Sequence, residues 1–97
     1  MVVKIREIVA QNPKNAPDKL LILIRDLLKS GKKISISFEG VGGITSSFVN
    51  SAFVPLLEDC PLSELKEKIV FVNTIKQQNE ILKKRLEFED KRIRKPL

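Results

Sequence analysis

Residues 34–57, ISISFEGVGGITSSFVNSAFVPLL, constrain the fold more than any other stretch of the chain. The segment opens with a strict alternation of apolar and small polar side chains, which predicts a strand at residues 34–38 with its apolar side chains on one face. A glycine-bearing loop follows, and the hydroxyl of Thr45 or Ser46 favours the start of a helix. Apolar residues then recur four positions apart up to Leu57, which predicts a helix with a broad apolar face.

The segments on both sides of this unit complete an alternating order of strands and helices. Residues 2–9 alternate between apolar and charged side chains, which predicts a half-buried strand. Residues 16–29 have a proline in their first turn, carry a broad apolar face and precede Gly31, so they predict a helix that ends at a left-handed glycine. Residues 62–67 predict a short helical turn. Residues 69–72 form a continuous apolar run, which is typical of a strand covered on both faces.

The last predicted element is a long helix at residues 75–92, with Asn73 and Thr74 as its caps. The apolar stripe that can lie on the sheet or on another copy of the chain consists of Ile75, Leu82, Leu86 and Ile93. The order is therefore βαβαβα. Right-handed crossovers would place helices against the sheet and the 42–47 turn at the carboxyl end of its strand, where sites in open α/β sheets tend to lie. We expect a single α/β domain over residues 1–97, with a small, mainly parallel sheet flanked by helices and a long C-terminal helix.

The net charge of +6 belongs mainly to the last helix. Residues 75–97 hold eight basic and four acidic residues, whereas residues 34–65 hold no basic residue. Binding of nucleic acid is therefore confined, as a hypothesis, to the basic end of that helix: Lys91, Arg92, Arg94 and Lys95. A solvated helix face explains the same charges, and no recognition motif accompanies them. We do not expect nucleic acid as the main partner, and a nucleic-acid-associated or phage-related regulator stays the alternative interpretation.

The sequence lacks the residue types of most catalytic and metal sites. It has no histidine and a single cysteine, Cys60, so neither an internal disulfide nor metal-ligand spacing is available. The glycines at Gly40, Gly42 and Gly43 match neither the dinucleotide-binding nor the Walker pattern. No apolar run approaches the roughly 18 residues of a membrane span. We expect a cytoplasmic protein that is not an enzyme, carries no membrane segment and binds no cofactor.

Three short runs resemble a known family: LKSG at residues 28–31, ISISFEGV at residues 34–41 and ITSSF at residues 44–48. The chain resembles the STAS domain of anti-sigma-factor antagonists, and more closely the STAS-like family of uncharacterised bacterial regulators, over residues 20–73. This resemblance implies a small module that binds a protein partner, either an ATPase-fold serine kinase or an anti-sigma factor. It also implies that the hydroxyl phosphorylated in the family corresponds to Ser46. The family's neighbouring Asp and Gly are Thr45 and Phe48 in this chain.

The predicted contact surface lies between the second strand and the helix that follows it. Its candidate residues for partner binding or phosphorylation are Thr45, Ser46, Ser47 and Asn50, with Gly42 and Gly43 forming the loop before them. A phosphate in the first turn of a helix meets unpaired N–H groups and the positive end of the helix dipole. Two interpretations stay open: a modifiable or partner-binding hydroxyl, and ordinary helix caps. The oligomeric state that we expect is a monomer or a weak homodimer formed through the last helix.

Overall fold

The computed structural model of the protein describes residues 1–95. Three parallel strands and six helices alternate along this part of the chain. The strands are β1 (Val2–Lys4), β2 (Ile34–Ser37) and β3 (Ile69–Val72). The helices are α1 (Ile5–Gln11), α2 (Ala16–Lys29), α3 (Ser46–Ala52), α4 (Leu56–Asp59), α5 (Leu62–Lys68) and α6 (Lys76–Arg94). The predicted α/β class, parallel sheet and long C-terminal helix are confirmed, while Pro96 and Leu97 of the predicted domain lie outside the described residues.

The sheet has β2 in its centre, with β1 and β3 on either side. Val3 lies opposite Ile36, which lies opposite Phe71, so these three side chains share one face. Ile34 and Ile69 form the next row of the same face. The aliphatic members of these two rows are at most 7 % exposed. This face of the sheet therefore packs into the core, as the alternation of apolar and polar residues in β2 predicts.

The large helices form one layer over that face of the sheet. α2 and α3 pack against each other, so both crossover connections lie on the same side, and α6 contacts α3, α4 and α5. The opposite face leaves Val2 and Val70 59 % and 52 % exposed. Within residues 1–95, the helices cover only one face of the sheet. The expectation that residues 69–72 are covered on both faces is therefore wrong.

The first strand is shorter than the sequence predicts. β1 ends at Lys4, which pairs with Ser37, the last residue of β2, so the following residues have no neighbouring strand beside them. They form α1, in which Ile5 is buried and Ile8, nearly one turn later, is half-buried. The prediction of a strand over residues 2–9 is wrong from Ile5 onward, because helical spacing buries these two isoleucines without any strand partner.

The helix predicted to run up to Leu57 is broken in two. α3 ends at Ala52, and α4 begins at Leu56. Pro55 lies in the break, where it has no N–H to donate and would clash with the carbonyl four residues earlier in a continuous helix. The chain stays buried through this break, since Phe53, Leu56 and Leu57 are at most 1 % exposed. The apolar spacing therefore identified the core residues but not the end of the helix.

α2 has the limits that its sequence predicts. It begins at Ala16 with Pro17 in the first turn, and Gly31 follows its C-terminal cap with φ of +77°. Leu20 and Ile24 are at most 1 % exposed on the side that faces the sheet. The helix predicted over residues 16–29 is therefore confirmed.

α6 buries a different stripe from the predicted one. Leu82 and Leu86 are buried as predicted and Ile93 is half-buried against the core, but Ile75 is 49 % exposed. The positions that extend the buried stripe in the two directions belong to polar residues, Gln78 and Glu89, which are 0 % and 8 % exposed. Helical periodicity explains the arrangement, because these residues lie three or four positions from the two leucines.

Asn73 and Thr74 are not the caps of α6, so that prediction is wrong. The N-cap is Ile75, and its backbone N–H donates to the Gln78 Oε1 atom at 2.9 Å. Asn73 has a left-handed φ of +56°, and its side-chain amide donates to Ser37 Oγ at 3.0 Å. The asparagine therefore joins the end of β3 to the end of β2, because this polar side chain turns towards the sheet rather than the helix.

Candidate interaction site at the start of α3

The loop between β2 and α3 leaves the sheet at the carboxyl ends of the strands. Its turn requires glycine at Gly40, where φ is +75°. A Cβ atom at this position would also lie 2.8 Å from Nη1 of Arg6. Gly42 and Gly43, the predicted loop residues, lie in the exposed part of the same loop, and neither has a positive φ. The conformational need for glycine therefore falls at the turn itself.

Gln78 of α6 fixes the middle of this loop from inside the protein. Its side chain is fully buried. Its Nε2 donates to the backbone oxygens of Val41 and Gly42 at 2.9 and 2.8 Å, while its Oε1 accepts from the Ile75 N–H. One neutral side chain thus satisfies three backbone groups. Among the described residues, no buried side-chain nitrogen or oxygen lacks a partner.

Gln77 fixes the end of the loop. Its Oε1 accepts from the Ile44 N–H at 3.0 Å, and its Nε2 donates to the Ile44 oxygen at 2.7 Å. Sequence reasoning missed both glutamines. The available signal for Gln78 is its position four residues before Leu82 on the buried stripe, where a polar side chain must find hydrogen-bond partners. No comparable pattern marks Gln77.

Thr45 is the N-cap of α3. Its Oγ1 accepts a hydrogen bond from the backbone N–H of Phe48 at 3.1 Å. This geometry confirms the capping interpretation for Thr45 but not for Ser46, which is the first residue of the helix. Ser46 and Ser47 are both exposed. The cap therefore has a structural role, while the two serines are accessible from solvent.

Ser46 borders a groove between α3 and α6, which we call the α3–α6 groove. Its volume is about 380 Å³. The α6 side of the groove is formed by Gln77, Glu80, Ile81, Lys84 and Arg85. Nε of Arg85 donates to Oδ1 of Asn50 at 3.0 Å, so Asn50 is tied to the same helix. The structure thus brings Ser46 and Asn50 beside α6, which the sequence analysis did not associate with the site.

An ion-pair network orients Arg85 at the edge of this groove. Nη2 of Arg85 lies 2.8 Å from one carboxylate oxygen of Glu89, and Nε of Arg92 lies 2.7 Å from the other. The hydrogen bond from Arg92, reinforced by Arg85, lowers the pKa of Glu89. The Arg85 guanidinium also lies 5.5 Å from the centre of the Phe88 ring. Arg85 is therefore held by several contacts at once.

The predicted basic surface at the end of α6 is partly engaged within the protein. Arg92 belongs to the network just described, and Nε of Arg94 lies 3.0 Å from Oδ1 of Asp90. Lys91 and Lys95 are exposed. Nucleic-acid binding stays the alternative interpretation, and two of the four cations named for it are engaged in ion pairs.

Cys60 is half-buried and packs against the core. Burial, followed by the nearby carboxylate of Glu64, raises the pKa of the Cys60 thiol, which disfavours the reactive thiolate. Residues 1–95 contain no cluster of three or more side chains suited to hold a metal ion. Across the same residues, no helix is both long and apolar enough to cross a membrane.

A strand, a tight turn and a hydroxyl-rich helix start, set on a small parallel sheet, are the features that carry the resemblance to a STAS-like domain. Residues 17–79 match the family model described as a STAS-like domain of unknown function (DUF4325). This match covers more than half of the chain, so the chain belongs to that family, and the predicted resemblance is confirmed. The matched segment runs from α2 into α6 and includes both Gln77 and Gln78. No curated protein and no solved structure matches the chain significantly.

Proposed function

We propose that this protein is a non-enzymatic regulatory module that binds a protein partner through residues 41–50. Membership in the STAS-like family supports a regulatory role. The observation that carries the proposal is that Ser46 and Ser47 are exposed on a segment fixed by Gln77 and Gln78. A surface held in one conformation loses little conformational freedom on binding, which favours recognition. In this proposal the protein acts in the cytoplasm without a cofactor.

Ser46 is the regulated hydroxyl in this proposal. A phosphate on it would add about −1.5 to −2 charges at neutral pH. That charge would enter the α3–α6 groove, which Lys84, Arg85 and Glu80 border, and would change its charge and shape. The partner that fits this role is an ATPase-fold serine kinase or an anti-sigma factor, by analogy with anti-sigma-factor antagonists.

Thr45 and Phe48, which stand where the family's turn has Asp and Gly, are compatible with the geometry of the turn in this structure. Thr45 supplies the side-chain oxygen that caps α3, a role that an aspartate also fills well at this position. Phe48 is half-buried, and its ring centre lies 6.1 Å from that of Phe53. Both residues therefore support α3, and they leave the neighbouring serines exposed.

The test compares partner recovery by Ser46→Asp and Ser46→Ala with recovery by the matched variants Ser63→Asp and Ser63→Ala. Ser63 is exposed on α5 and does not line the α3–α6 groove. We expect Ser46→Asp to lower partner recovery from native lysate several-fold, because it places a charge at the contact surface, while the other three variants retain the partner. Quantitative mass spectrometry measures this recovery and also detects phosphate on Ser46. Equal recovery by Ser46→Ala and Ser46→Asp would contradict the proposal.

A further inference from the structure

A second cavity lies between α5, β3 and α6 and shares no lining residue with the α3–α6 groove. Its volume is about 200 Å³. Six apolar residues that line it are at most 7 % exposed: Phe53, Leu56, Leu65, Ile69, Leu82 and Leu86. The interior of this cavity is therefore suited to an apolar group rather than to water.

Two of the residues that line the cavity are aromatic. Phe53 and Phe71 line it and meet edge to face, with their ring centres 5.3 Å apart. A third ring is attracted by such a pair when the ring centres lie roughly 4.5–7 Å apart. Apolar cavities of about 150 Å³ lined by leucine, isoleucine and phenylalanine are known to hold benzene. This cavity is somewhat larger, so it has room for one aromatic ring and a short alkyl chain.

The mouth of the cavity carries charge. Lys66 of α5 and Lys83 of α6 line it from two different helices, and both are exposed. Glu87 lies one turn after Lys83, and Asn79 lies one turn before it. The two ammonium groups outnumber the single carboxylate, so the mouth favours an anion. Long lysine side chains can reach that anion while its apolar part lies inside the cavity.

We propose that this cavity binds a small arylalkanoate, an aromatic ring joined by a short alkyl chain to a carboxylate. The ring lies beside Phe53 and Phe71, and the carboxylate lies between Lys66 and Lys83. A neutral analogue lacks the two charge contacts, and a cationic analogue is repelled by the two lysines. α6 forms one wall of the cavity and also fixes the 41–44 loop, so an occupied cavity stabilises the helix on which the candidate interaction site depends.

Three matched probes test the proposal: hydrocinnamate, the alcohol of the same carbon skeleton and the amine of the same skeleton. Each is titrated into the full chain, and methyl NMR shifts of Leu65, Leu82 and Leu86 follow occupancy. We expect hydrocinnamate to bind about three- to tenfold more tightly than the alcohol, because two exposed ion pairs each contribute modestly. The amine should bind most weakly of the three.

Variants of the mouth distinguish recognition of the carboxylate from simple filling of an apolar space. Lys66→Gln and Lys83→Gln should each weaken hydrocinnamate about two- to threefold and leave the alcohol unchanged, whereas Glu87→Gln should strengthen hydrocinnamate. Lys84→Gln is the matched control, because Lys84 is next in sequence but lines the α3–α6 groove. All four side chains are at least partly exposed, so these variants should fold normally.

Four results would overturn the proposal. The first is equal affinity for the acid and the alcohol. The second is an equal loss of hydrocinnamate affinity in Lys84→Gln and Lys83→Gln. The third is the absence of saturable binding at millimolar probe. The fourth is a set of methyl shifts confined to residues outside the cavity.

Discussion

The two ends of α6 contact the rest of the protein in different ways. Its first turn uses neutral amides, since Gln77 and Gln78 form hydrogen bonds with the backbone of residues 41–44. Its last turns use charged groups. Asp90 accepts from the first N–H of α5 at 3.1 Å, and Arg94 pairs with Asp90 and donates to the α4 backbone. One helix therefore fixes the candidate site at one end and the α4–α5 connection at the other.

This difference separates the contacts that set the shape of the site from those that respond to conditions. Hydrogen bonds between a neutral amide and the backbone involve no titrating group, and salt screens them little. Partly exposed ion pairs weaken when salt is added and when their carboxylates are protonated. We therefore expect the 41–44 loop to keep its shape over a range of pH and salt in which the far end of α6 loosens.

The largest expected effect comes from removing the buried amide. Gln78→Ala deletes three hydrogen bonds and leaves backbone groups of Val41, Gly42 and Ile75 without their partner. We expect the free energy of unfolding to fall by about 2–4 kcal/mol, measured by urea denaturation. The control is Gln11→Ala, since Gln11 is exposed at the end of α1, and its change should stay within about 0.5 kcal/mol. Similar small changes in both variants would mean that the amide contacts do not fix the loop.

The second-largest expected effect comes from changing the turn at Gly40. It tests how much this turn contributes to the shape of the loop between β2 and α3. Gly40→Ala forces an alanine into a left-handed φ of +75° and pushes against the flexible Arg6 side chain. We expect a loss of about 1–2 kcal/mol in the free energy of unfolding. Gly42→Ala is the matched control, because an added Cβ there meets no atom within 4 Å and φ is not positive. Equal losses in the two variants, measured by thermal and urea denaturation, would place the constraint elsewhere in the loop.

The parts of the fold that sequence predicts well are those that depend on neighbours along the chain. The alternation in β2 and the proline and glycine at the two ends of α2 each favour one local structure. The stretch after Lys4 was predicted wrongly because its structure depends on where β2 ends. The predicted strand rests on the two-residue spacing of Val3 and Ile5, whereas the three-residue spacing of Ile5 and Ile8 fits one face of a helix.

The contacts of the candidate site also divide into those between neighbours in sequence and those between distant residues. The Thr45 cap contacts a residue three positions away, so its chemistry can be read from the sequence. The contacts of Gln77 and Gln78 with the 41–44 loop span 33 to 37 residues, and no local pattern indicates which backbone groups of that loop they will meet. The sequence therefore pointed to the exposed serines, whereas only the tertiary structure shows what fixes the segment that carries them.

A smaller effect distinguishes Thr45, the observed N-cap of α3, from Thr74, which the sequence predicts as a cap of α6. Thr45→Ala removes the oxygen that accepts from Phe48, and we expect the free energy of unfolding to fall by about 1 kcal/mol. Thr74→Ala removes the hydroxyl that sequence analysis placed at the start of α6, where the structure has Ile75 as the N-cap. We expect a smaller loss for Thr74→Ala in the same urea measurement. A larger loss from Thr74→Ala would contradict this assignment of the caps.

The smallest effect concerns pH and the charged end of α6. The hydrogen bond from Arg92 lowers the pKa of Glu89 from its ordinary value of 4.5. A carboxyl group with a lower pKa in the folded state adds stability that is fully present above the unfolded pKa and is lost as the pH falls through the folded pKa. Wild-type protein should therefore lose this stability below about pH 5, and Glu89→Gln should lack that component. The gap between the two unfolding free energies should be widest at neutral pH and should shrink in acid.

Glu80→Gln controls for the loss of any carboxylate from α6. Glu80 is exposed, and its Oε1 lies 3.9 Å from Nζ of Lys76, a longer ion pair than those of Glu89. It should change the unfolding free energy at neutral pH less than Glu89→Gln does. The measurement that shows whether the two ends of α6 open separately is the hydrogen-exchange protection of the Ile44 N–H, corrected for the effect of pH on the intrinsic exchange rate. Gln77 does not titrate, so this protection should stay constant while the Glu89 network is protonated. If protection at Ile44 falls together with the Glu89 contribution, the two ends of α6 open as one unit, and a division into neutral and charged ends is wrong.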